Sequence, residues 1–216
     1  MAIRYCDERG EAGFSWVTDE PATRTSHALA SRGRVWLVDP VDWEPAIDRA
    51  CTLGAPAAVL QLLDRHNRDC AAVAARLGVA HLTTPADVPG SPFEIVEVRQ
   101  RRLWHEVALW WPQRRTLVVA EAIGTNAFYT GGRSTAGVHL LMRLRPPRRQ
   151  LGGFDPEHLL VGHGEGIHGA AATAALADAL RTSRRGLVAV VSRIPALALD
   201  ARRRRSAPPP PDRDAG

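Results

Sequence analysis

The stretch AAVLQLLDRHNRDCAAVAARLG, residues 57–78, decides how the chain is read. Its first seven residues, 57–63, are a short apolar run set off by the break at Gly54 and Pro56, and they predict a buried strand. Residues 64–69 are polar and predict a loop. Small and apolar residues then run from Cys70 to Leu77, and Gly78 follows where a residue past a helix C-cap is expected. A buried strand, a polar loop and a helix in that order form a unit of a layered α/β fold.

The same pattern extends in both directions. Upstream, residues 26–30 and the run RGRVWLVDP (32–40) predict two strands joined by a turn at Arg32 and Gly33, stopped by Asp39 and Pro40. An amphipathic segment over 43–53 leads into the deciding stretch. Downstream, residues 79–82 predict a short strand, and FEIVEVRQ, HEVALWWP and RRTLVVAEAI predict antiparallel strands, the last two forming a hairpin at 112–115. Residues 154–157 and HLLVGHGEGI supply a further strand and loop, the Ala-rich segment 170–180 a helix, and LVAVVSRI (187–194) a last apolar segment. Strands interleaved with helices in two successive halves imply an α/β sandwich with helices outside.

Length and charge limit what such a domain does. The chain has 216 residues, 45% hydrophobic and 24% charged, which suits one domain over 1–200. No apolar run approaches the ~20 residues of a membrane span, and the N-terminal residues lack the pattern of a secretory signal, so a cytoplasmic protein without a membrane partner is expected. All 28 basic residues are Arg, four of them Arg202 to Arg205, and the Pro-rich segment 201–216 reads as a disordered tail. That run carries one functional alternative, nucleic-acid binding through the tail. The three cysteines, Cys6, Cys51 and Cys70, have neither a disulfide nor a thiolate-metal spacing.

Polar residues stand where strands end: Asp39, the 64–69 loop, Glu121 and His163. Ligand and metal sites in layered α/β folds gather at such ends. The Gly-, Thr- and Asn-rich segment AIGTNAFYTGG (122–132) follows Glu121 as the wall of any pocket, with Asn126 and Tyr129 its polar candidates.

In this order, RVWLVDP, LLDRHNRDC, TLVVAEAI and LLVGHGEGI resemble the strand-end motifs of the metallo-β-lactamase superfamily, over most of residues 14–180. The resemblance implies a four-layer αββα sandwich. It also implies a metal-binding loop in which Asp64 stands for the first His, His66 is the second, Arg68 stands for the Asp, and Asp69 stands for the final His. Arg102 falls where the family's next His is placed, Glu121 replaces the bridging Asp, and His163 is retained.

A dinuclear centre needs about six donor ligands. Arg offers only N–H donors and a permanent positive charge, so Arg68 opposes the ion its position should hold. One expectation follows: guanidinium groups of Arg68 and Arg102 pair in forks with Asp64, Asp69 and Glu121, in a network bordered by Asp39, Asn126 and Tyr129. The protein would then lack a metal cofactor and the usual metal-dependent hydrolysis. The alternative is a single zinc, manganese or iron ion held by Asp64, His66 and Glu121, or by Asp69, His163 and Glu121, in a hydrolase of an ester, thioester or phosphodiester. An anionic small molecule oriented by Arg68 belongs to that alternative. The remaining histidines, His27, His81, His105, His139, His158 and His168, read as structural or surface residues.

Overall fold

In a computed structural model of the chain, residues 2–66, 68–132 and 134–185 are described. The last apolar segment and the Arg/Pro-rich tail lie outside the described residues.

The chain order is β1 (Ile3–Cys6), β2 (Gly13–Thr18), β3 (Thr25–Ser31), β4 (Arg34–Val38), α1 (Glu44–Leu53), β5 (Ala55–Gln61), α2 (Cys70–Leu77) and β6 (Ala80–Thr83). The second half runs β7 (Glu94–Arg101), β8 (Trp104–Trp111), β9 (Thr116–Val119), β10 (Ile123–Gly124), α3 (Ala127–Thr130), β11 (Gly137–Val138), α4 (Arg148–Leu151), β12 (His158–Val161), β13 (Ile167–His168) and α5 (Ala170–Thr182). The first six strands form one sheet in sequence order; the second is β13-β12-β9-β8-β7, with β10 and β11 paired separately.

Alternation along the strands divides the core. Val35, Leu37 and Val59 turn outward against Ala46 and Ile47 of α1 and Val73 of α2. Trp36, Val38 and Leu60 turn inward to the cluster that also holds Leu109, Leu117 and Leu160 of the second sheet. Leu176 and Leu180 of α5 join that cluster by packing beside β12 and β13. The layers are therefore helices, sheet, sheet and helix, as the sequence predicts. Helix α2 spans Cys70–Leu77 and closes at Gly78 in the left-handed region, φ 64°.

Two details differ from expectation. Strands β1 and β2 add an edge to the first sheet that the sequence reading passed over. Residues 154–157 pair in neither sheet, and the strand begins at His158; Pro156 has no N–H to give a ladder.

The sheets meet at one end. Val107 N–H donates to Leu62 O (2.9 Å) and Asp64 N–H to His105 O (3.0 Å), tying the chain after β5 to β8. Thr25 N–H donates to Gly162 O (2.9 Å), tying β3 to the chain after β12. Asp39, His66, Glu121 and His163 all follow strands at this end.

Candidate metal centre

Glu121 stands at the centre. Its Oε2 lies 2.7 Å from His66 Nε2 and 3.0 Å from His163 Nε2. Its Oε1 accepts the Tyr129 hydroxyl at 2.8 Å and lies 3.3 Å from His139 Nε2. The backbone behind it is fixed by Glu106 on β8, whose Oε1 accepts both the Glu121 and Ala122 N–H groups at 2.8 Å while Oε2 accepts Trp104 Nε1–H at 2.8 Å. Burial pushes the Glu106 carboxyl up to about 7.

The other nitrogen of each ring assigns its role. His66 Nδ1 faces Asp39 Oδ2 at 3.1 Å, and His163 Nδ1 faces the Ala22 carbonyl at 2.8 Å. Both partners are acceptors, so both Nδ1 atoms are donors. In the neutral rings the two Nε2 lone pairs then point at a carboxylate oxygen, and three acceptors converge. Only a cation relieves that arrangement: protons on the rings, or one metal ion. An outer acceptor orienting the ring is the usual setting of a metal-bound histidine.

His139 differs. Its Nδ1 accepts the Leu141 N–H at 3.3 Å, so the neutral ring carries its proton on Nε2, toward Glu121 Oε1. Burial lowers its affinity for a second proton. Glu121 therefore has two unlike oxygens, Oε1 engaged by Tyr129 and His139, and Oε2 turned to His66 and His163. Burial raises the Tyr129 hydroxyl well above its ordinary value, and the Glu121 charge adds to this, which keeps it a donor. Glu121 itself, despite burial, is held far below the usual carboxylate range by His163 and His66. At His66, burial and then the Arg68 charge oppose protonation, but Asp39 and Glu121 outweigh them and raise it.

Among the described residues one group has metal-ligand proximity, His66, Glu121 and His163, whose ligand atoms lie within 4.8 Å of one another. Two imidazoles and a carboxylate suit one zinc, manganese or iron ion. The same residues do not suit two. Asp64 turns away to accept His105 N–H at 3.1 Å, and Asp69 precedes α2 and accepts Asp42 N–H at 2.8 Å. Arg102 is exposed in the turn between β7 and β8.

Arg68 is half-buried, but the expected forks to Asp64, Asp69 and Glu121 do not form among the described residues. Its Nη1 donates to the carbonyls of Thr25 (2.5 Å) and Asp39 (2.8 Å), and its Nη2 to that of Gly162 (2.9 Å). The fork thus ties carbonyls from both sheets, at a place where the two Asp side chains have left for backbone donors. Asp39 (φ 45°) and Arg68 (φ 37°) are both held in the left-handed region, a conformation that costs a non-glycine residue about 1–3 kcal/mol. Asp39 is buried yet held below its ordinary range by His66 and Arg68. Asn126 caps α3 and donates to Ala22 O (2.9 Å), so it braces the carbonyl that orients His163.

His163 needs its flanking glycines. A Cβ on Gly162 would lie 2.2 Å from Ala120 O, and one on Gly164 (φ 98°) 2.2 Å from Thr125 Oγ1. The cleft over the centre, about 520 Å³, is lined by Arg24, Arg65, Arg68, Trp104, His139 and Leu141 with the three converging residues.

No protein-family model matches the chain, and no curated protein does. Solved structures do. The DIM-1 metallo-β-lactamase exposed to ceftazidime is 12% identical, with TM-score 0.54 over 85% of this chain and 98% of that one. Another DIM-1 metallo-β-lactamase structure gives 0.55 at 12% identity, over 85% and 99% of the two chains. A metallo-β-lactamase from Hirschia baltica gives 0.55 at 10% identity, over 82% and 97%. The chain thus has the metallo-β-lactamase fold, an αββα sandwich.

Proposed function

We propose that this chain is a metallo-β-lactamase-fold protein with a degenerate, single-ion centre made by His66, Glu121 and His163, and that it hydrolyses an ester, thioester or phosphodiester. The observation that carries the reading is the convergence of two Nε2 lone pairs on Glu121 Oε2, with both Nδ1 atoms committed to acceptors. A divalent ion, when bound, supplies Lewis-acid polarisation of a carbonyl or phosphoryl oxygen. Asp39 and Ala22 O orient the rings, Tyr129 and His139 hold Glu121 Oε1, and Arg68 supplies a fixed charge in place of a second ion.

One observation favours a metal-free alternative: His66 lies between Asp39 and Glu121, which raise its affinity for a second proton, and a protonated ring would itself be the cation. Hydrolysis of 4-nitrophenyl butyrate, a butyryl thioester and bis(4-nitrophenyl) phosphate separates the two. Activity should appear with one equivalent of zinc, manganese or iron(II) and vanish in His163→Ala. A chain that binds the ion and hydrolyses none of the three overturns the hydrolase assignment.

A further inference from the structure

Three large apolar side chains are strongly exposed among the described residues, Leu103, Leu141 and Leu144. Two of them stand at the cleft over the metal centre: Leu141 lines it, and Leu103 precedes Trp104, which lines it as well. Leu141 is 71% exposed. Leu103, 77% exposed, offers its carbonyl to Arg65, which also lines the cleft. Apolar surface gathered at one place marks a binding surface, whereas scattered exposed leucines carry no meaning.

The cation beside them has a defined seat. The Arg65 guanidinium carbon stands 4.5 Å from the Trp104 ring centroid, and that ring meets His139 edge to face at 4.8 Å. Its carboxylate partner is Asp64, 3.6 Å from Nε and well exposed, a loose pair that a stronger anion can displace. Arg68, by contrast, has both Nη atoms committed to three carbonyls. The cleft therefore presents a stacked guanidinium and an exposed leucine, Leu141, with a second exposed leucine, Leu103, hydrogen-bonded through its carbonyl to that guanidinium.

Resting on the proposed hydrolase reading, we infer that the substrate is an amphiphilic anion, an acyl compound whose apolar chain lies along Leu103 and Leu141 and whose anionic group is taken by Arg65. A short or uncharged acyl compound would leave both features unused.

Binding of butyrate, octanoate and octanol, followed by tryptophan fluorescence on the full chain, tests this with and without zinc. Octanoate should bind at least about tenfold tighter than butyrate, because four more methylenes leave water. It should also bind tighter than octanol, in zinc-loaded and chelator-treated protein alike. Leu141→Ser should shrink the chain-length preference; Arg65→Leu should remove the preference for octanoate over octanol, and Arg65→Lys should restore it. Equal affinities for butyrate and octanoate, or an unchanged preference in Arg65→Leu, overturn the inference. Binding to anionic phospholipid vesicles without chain-length dependence for the free acids overturns it too. Zinc uptake without octanoate binding would defeat this inference and leave the metal reading standing; octanoate binding without zinc uptake would do the reverse.

Discussion

His66 Nε2 lies 2.7 Å from Glu121 Oε2, although the first residue follows a strand of one sheet and the second a strand of the other. The contact crosses the sandwich, and His163 reaches the same oxygen from the end of a third strand. Whatever cation occupies this junction also holds the two halves together. An ion at a hundred times its dissociation constant stabilises the folded chain by about 2.7 kcal/mol.

Tyr129→Phe removes the hydroxyl from Glu121 Oε1 and leaves every direct ligand in place. Loss of such an outer partner lowers metal affinity by about tenfold or more. Competition with a chromophoric zinc chelator reads the change, and an unaltered affinity would show that Oε1 needs no anchor.

Arg68→Ala strands three carbonyls from both sheets and leaves buried Asp39 with one cation fewer. A stability loss of about 3–5 kcal/mol is expected in urea denaturation. Lysine should not rescue it, because a single ammonium cannot reproduce the fork. A variant as stable as the parent would mean that the guanidinium bridges nothing of consequence.

His27 gives a pH dependence far from the centre. The ring is buried, with Nδ1 2.8 Å from Ser15 Oγ and no partner at Nε2 among the described residues. Burial, reinforced by the Arg9 charge, drops its pKa to about 3. Between about pH 6.5 and 3 the unfolded chain binds this proton and the folded chain does not, so stability falls with pH by about 1.4 kcal/mol per unit. The parent should lose stability more steeply than His27→Gln across that window; parallel profiles would contradict this.

Sequence order carried the fold because the central strands are apolar and bounded by clear breakers. Gly78 and Pro40 stop elements in the structure where they stop them in the sequence. At the centre, Asp39, Glu121 and His163 were legible from strand ends, Tyr129 from the Gly-rich segment after Glu121, and His66 only from the family resemblance. Asp64 and Asp69 were misleading: their side chains turned to nearby backbone N–H groups, a choice that spacing does not reveal. His139 was missed because it arrives through the two-residue pairing of β10 with β11, which sets Ile123 opposite Val138 and lets His139 N–H donate to Ala122 O at 3.0 Å. Pairings that short leave no periodicity. Glu106 had a signal, a carboxylate amid the apolar run of β8, which alone does not say that it would seize the backbone of Glu121.

Equilibrium dialysis against zinc followed by elemental analysis bears most directly on the centre. The parent chain should retain one ion, and His66→Ala or His163→Ala close to none. Two retained ions would mean that Arg68 does not stand in for a metal, and none at all would mean that protons alone occupy the junction.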